Sequence, residues 1–144
     1  MRKALAALKK FDRDVQKAAT GVLAEAGREI LAGAKSRVPV DSGELSASLG
    51  MEVQNNGWRV VNYADAPHAP FQEFGTGRKN VETIVSVYPP EVGKYAYDTF
   101  FKTGEGNTKG QPFLFPPFLA VREEVPKRVE AAIKKVADEF NRLK

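Results

Sequence analysis

A long run of apolar residues at helical spacing, over residues 4–36, most limits what this chain can become. Leu8, Phe11, Val15, Ala18, Val22, Ala26 and Ile30 recur every three or four positions. That spacing places them on one arc of an α-helix, which turns about 100° per residue. Lys3, Lys10, Arg13, Lys17, Arg28 and Lys35 gather on the opposite arc. A straight helix of this length runs about 50 Å at about 1.5 Å per residue. A compact chain of this size has a radius of gyration of only about 14–15 Å. Such a helix overhangs its own globule, and part of its apolar face needs a neighbour to cover it. Gly21, Gly27 and Gly33 lie within the run; each costs up to about 1 kcal/mol relative to Ala and is expected to weaken or bend the helix.

Pro39 closes the helix, because the residue before a proline is pushed out of the α region. Asp41, Ser42, Gly43 and Glu44 then resemble a capping box, with Asp41 as N-cap and a short helix to about Leu49. Met51–Gln54 and Trp58–Tyr63 are β-prone and flank Asn55-Asn56-Gly57, a hairpin signal. Residues 64–80, with Pro67, Pro70, Gly75 and Gly77, read as irregular. A strand is expected over Val81–Val87 and a helix over Glu91–Phe101 with Tyr95 and Phe101 facing inward. Thr103–Gln111 contains three glycines and no large apolar side chain, so it reads as a mobile loop. Pro112–Pro117 forms an aromatic-proline clamp before a second amphipathic helix carrying Val125, Val129, Ile133, Val136, Phe140 and Leu143 on one face. Pro126 starts or kinks that helix. The order predicts one α+β domain over residues 1–144, with a long N-terminal helix and a C-terminal helix packed on a small antiparallel sheet.

Composition removes several chemistries. There is no cysteine and one histidine, His68, so thiolate sites, disulfides and the usual zinc centres lack raw material. No apolar run reaches the roughly 18 residues of a membrane span, and Lys9, Lys10, Asp12 and Arg13 break any signal-peptide core. Gly75-Thr76-Gly77-Arg78 lacks the third glycine of a dinucleotide loop and the Gly-Lys-Ser/Thr of a Walker loop, and reads as a tight turn. His68, between prolines and without an acidic neighbour, reads as a polar loop residue. The carboxylates of the middle segment stand singly, unlike a magnesium-dependent nuclease site. No catalytic, cofactor-binding or metal-binding residue is expected.

Charge is unevenly spread. Residues 1–37 hold nine Lys/Arg against four Asp/Glu, residues 38–120 six against nine, and residues 121–144 seven against five. Two basic ends around an acidic middle suit nucleic acid, or another copy of the chain meeting head to tail. Lys10, Arg13, Lys17 and Arg28 are the candidate contact residues. The aromatics Trp58, Tyr63, Phe71 and Phe74 lie away from that stripe, which disfavours single-strand binding by base stacking.

Three ordered blocks carry a family resemblance. Residues 34–49, Ala-Lys-Ser-Arg-Val-Pro-Val-Asp-Ser-Gly-Glu-Leu-Ser-Ala-Ser-Leu, hold Pro39, Asp41, Ser42, Gly43, Leu45 and Ser48; residues 71–78 hold Glu73, Phe74, Gly75, Thr76 and Gly77; residues 111–114 hold Pro112 and Phe113. In this order they resemble the tail-component family of long, non-contractile-tailed bacteriophages, which supplies the tail-completion or head–tail joining protein of the neck. The resemblance implies a non-enzymatic virion subunit whose block residues are architecture. It also implies a ring of identical copies, expected as a hexamer, between tail tube or terminator and head-connector proteins. DNA passing through the lumen is a further expected partner, and a membrane is not. The alternative is a small DNA-binding protein using the basic face of the first helix.

Overall fold

A computed structural model describes residues 1–39, 43–74, 88–96 and 110–142. The first helix, α1, spans Arg2–Arg37 without a break. It is followed by α2 (Glu44–Ser48), β1 (Leu49–Gln54), a tight 3-10 turn at Asn55–Gly57, and β2 (Arg59–Ala64). Then come α3 (Ala69–Phe74), α4 (Pro90–Ala96), α5 (Phe115–Arg122) and α6 (Val125–Arg142). The class is α+β, as the sequence predicts.

The hairpin is antiparallel, with Leu49 opposite Ala64 and Gln54 opposite Arg59. Its turn places Asn55, Asn56 and Gly57 at φ 56°, 55° and 94°, the left-handed region that Asn and Gly tolerate best. One face of the hairpin lies on α1. There the glycines act differently from the sequence expectation. A Cβ on Gly27 would stand 2.5 Å from Val60 Cγ1 and 2.6 Å from Met51 Sδ, and one on Gly33 would stand 2.7 Å from Pro117 Cβ. These are notches that admit the hairpin and α5 to the helix backbone, and α1 continues through both. Asn62 Nδ2 donates to the Gly27 carbonyl at 3.0 Å and fixes the approach. Gly21 has nothing within 4 Å of its would-be Cβ.

α6 runs antiparallel along α1. Phe11 meets Phe140 with ring centroids 4.7 Å apart near one end, and Arg128 pairs with Glu29 near the other. Pro126 is the second residue of α6 and starts it, since a first-turn proline sacrifices no helical hydrogen bond. The core sits at the far end of α1, where Ala34, Val38, Leu45, Leu49, Ala66, Ala69 and Phe113 form one buried cluster.

Several expectations shift. α2 begins at Glu44 with Gly43 at the N-cap position, φ 68°, so the cap falls two residues beyond Asp41; Asp41 and Ser42 themselves lie outside the described residues. Residues 64–80 are not wholly irregular, because Pro70 sits in the first turn of α3, where its missing N–H is harmless. Tyr95 is 62% exposed rather than inward, and the described part of its helix ends at Ala96. Pro116 and Pro117 are the first turn of α5 rather than a clamp before the last helix. The expected strand at 81–87, Phe101, Leu143, residues 103–109 of the loop, and Gly75, Thr76 and Gly77 lie outside the described residues.

The two classes of α1 glycine make opposite predictions. Gly21→Ala should stabilise the fold by about 0.5–1 kcal/mol, the gain in helix propensity. Gly27→Ala should lose that gain and more, since overpacking a tight contact costs about 1–3 kcal/mol. Thermal melts of the two variants check the difference in sign.

Candidate assembly surface

Two of the family-block residues, Glu73 and Phe113, meet at one buried carboxylate. Glu73, near the end of α3, is only 5% exposed. Its Oε2 accepts from the backbone N–H of Phe113 at 2.8 Å and of Leu114 at 3.0 Å. Its Oε1 accepts from the Phe115 N–H at 3.0 Å and the Tyr88 hydroxyl at 3.1 Å. This explains how α5 can begin where it does. A helix start leaves N–H groups without partners, and Leu114, at the N-cap, offers no capping side chain. Pro116 and Pro117 have no N–H to satisfy, and Phe118 N already donates to Leu114 O at 3.3 Å. The three remaining donors, at 113, 114 and 115, all go to Glu73. A cap that usually comes from the adjacent residue comes here from a helix about 40 residues earlier.

The surroundings seal the bond from water. Phe74, Tyr88 and Phe115 pack edge to face or tilted, with centroids 5.1–6.3 Å apart. Burial, then the Glu73 charge, then the hydrogen bond to Glu73 push the Tyr88 phenol well above its ordinary range. Outside the carboxylate, Gln111 N donates to Gln72 O at 2.8 Å, so the last residue of the expected loop is tied down. Leu45 and Phe113 meet in the buried cluster, and Ser48 Oγ donates to Leu45 O at 2.7 Å. Pro39 is half-buried just past α1.

The candidate contact residues are elsewhere, on an arm formed by α1 and α6. Lys10, Arg13, Lys17 and Arg28 are all exposed on one side of α1, over about 27 Å of helix. Lys10 pairs with Asp14 at 3.3 Å; among the described residues Arg13, Lys17 and Arg28 make no ion pair. The arm is thinly packed, for α6 contributes no fully buried residue. Every residue from Met1 to Lys10 is exposed, including Leu5 at 53% and Leu8 at 55%. Among the described residues no group of acids and His68 could hold a metal ion, and no helix is long and apolar enough to cross a membrane.

The model of the HK97-gp10-like family, described as "Bacteriophage HK97-gp10, putative tail-component", matches residues 2–75, just over half of the chain. The chain belongs to this family. The match runs from α1 through α3 and includes Glu73, while the amides that Glu73 caps lie beyond it. Neither the curated proteins nor the solved structures gave a match. In this tail-component family member, sequence reasoning singled out Glu73 as a block residue but gave it no task. The signal was present: residues 113–117 pair three N–H donors with two prolines and no Ser, Thr, Asp or Asn to cap them.

Glu73→Gln keeps the size but replaces one acceptor oxygen with an NH2 that only donates. Leaving buried amides unmatched costs about 1–3 kcal/mol each, so the variant should lose about 2–4 kcal/mol in denaturant titration. A second expectation concerns pH. The folded Tyr88 phenol holds its proton more tightly than the unfolded one, so its contribution is intact below about pH 10. Above that pH, the unfolded chain releases the proton first and stability falls. Tyr88→Phe should flatten this alkaline decline, as followed by melts between about pH 8 and 11.

Proposed function

We propose that this chain is a non-enzymatic structural subunit of the virion that completes the tail at the neck. Copies would assemble as a ring, a hexamer in the simplest case, between the tail tube and the head connector. One observation carries the reading: the 36-residue α1, about 54 Å long, begins with ten exposed residues, Met1–Lys10, at the end away from the buried cluster. A solitary monomer has no use for such exposure, whereas an assembling subunit covers it with a neighbour. The charge plan supports the same idea, with a basic arm and an acidic middle suited to meet head to tail.

The exposed cations of α1 favour a second reading, in which this face meets DNA, either within the lumen or as the protein's main role. Binding to DNA through these side chains would weaken steeply with salt, with a slope set by the number of phosphates neutralised.

Arg13→Glu with Lys17→Glu tests the leading reading. Both positions are exposed, so the fold should change by only about 0.5 kcal/mol. Like-charge contacts at an interface cost several kcal/mol, so particles carrying the double variant should contain heads and tails that fail to join. Fully joined, infectious particles would rule this face out. Unchanged joining in a variant that has lost a steep, salt-dependent DNA affinity would favour the second reading.

A further inference from the structure

The beginning of α1 carries an apolar stripe that is exposed among the described residues. Met1, Leu5 and Leu8 are 108%, 53% and 55% exposed. At about 100° per residue they occupy an arc of roughly 60°. It is the same arc that, further along, holds the buried Ala19, Ala26 and Ile30. The buried cluster around Ala34 lies away from it, because Met1 and Ala34 are about 50 Å apart along the helix.

At the core end of the molecule lies an open, mostly apolar cleft of about 390 Å³ between β2, α3, α4 and the start of α5. Ala69, Pro70, Phe74, Val92, Tyr95 and Phe113 form most of its walls. Its charged lining groups are the carboxylates Glu73 and Glu91. Glu73 spends both oxygens on residues 88 and 113–115, which leaves Glu91, exposed at the rim. A site for a small polar ligand needs several convergent polar groups that are free to bind, and among the described residues the charged lining leaves Glu91 for that task.

We propose that the cleft receives the first three turns of α1 from a second copy of this chain, with Leu5 and Leu8 seated in it. Helix-in-groove recognition uses apolar anchors at spacings of three and four, which Met1, Leu5 and Leu8 provide. Charge agrees with this pairing. Residues 1–10 carry Arg2, Lys3, Lys9 and Lys10 and no acid, and they would enter beside Glu91, exposed at the rim. Asp65 and Lys94, next along β2 and α4, are of opposite sign and both outside the lining. The contact joins opposite ends of identical subunits, so it is heterologous, and it propagates until rotation closes a ring. It therefore rests on the ring reading above and names the surfaces that would make it.

The absence of cysteine permits a clean test. The full chain is prepared as Leu5→Cys and as Tyr95→Cys, and the two are mixed with a short thiol–thiol cross-linker. Intact mass should show the mixed dimer at least tenfold above either like-with-like product. Adding Leu8→Asp, an exposed position that the fold does not need, should reduce that product at least tenfold. Native mass of the wild-type chain over a concentration series separates the failures. Oligomers without the 5-to-95 product would overturn the cleft as the docking site and leave the ring. A monomer at every concentration would overturn both.

Discussion

The hydrogen bonds from three successive amides to the Glu73 carboxylate hold the two halves of this fold together. A carboxylate taken out of water costs several kcal/mol unless its partners replace the lost hydration. Here four donors surround it, and charge-assisted bonds of this kind contribute about 1.5–3 kcal/mol each. The same bonds start α5 at a site where the local sequence has no cap, and a carboxylate also suits the positive end of a helix. Once α5 is placed, Pro117 can enter the Gly33 notch and α6 can turn back along α1 to pair Arg128 with Glu29. The arm therefore depends on a bond made at the opposite end of the molecule.

The elements with strong local signals were legible in the sequence. α1 needed only its periodicity, the hairpin only Asn-Asn-Gly between β-prone runs, and α6 only its apolar stripe. What escaped was set by contacts between distant residues. Gly27 and Gly33 look like helix weaknesses until Val60, Met51 and Pro117 occupy the space where their Cβ atoms would be. Pro70 and Pro116 look like breakers until each is found in the first turn of a helix. Tyr95, expected inside, is outside because α4 presents it at the rim of a cleft. Of the site, the basic residues of α1 were identified as an exposed stripe, whereas the task of Glu73 depended on amides some 40 residues away.

The division between a tied core and a loosely covered arm links the fold to a tail component. Stability is concentrated where α1 ends, in small side chains such as Ala34, Ala66 and Ala69 that let backbones approach closely around Phe113. Away from it, α6 buries no residue completely, and the first turns of α1 bury none. Local opening follows such differences in packing. A subunit built this way keeps its core intact while its arm opens locally, which is what the proposed docking on a neighbour requires.

Residue-resolved hydrogen exchange, compared between the free subunit and the assembled particle, tests this account most directly. The amides of Phe113, Leu114 and Phe115 should be strongly protected in both states, because Glu73 holds them before assembly. The amides of residues 5–10 should exchange quickly in the free subunit and become protected in the particle. Equal exchange of residues 5–10 in the two states would contradict the claim that the arm is completed by a neighbour.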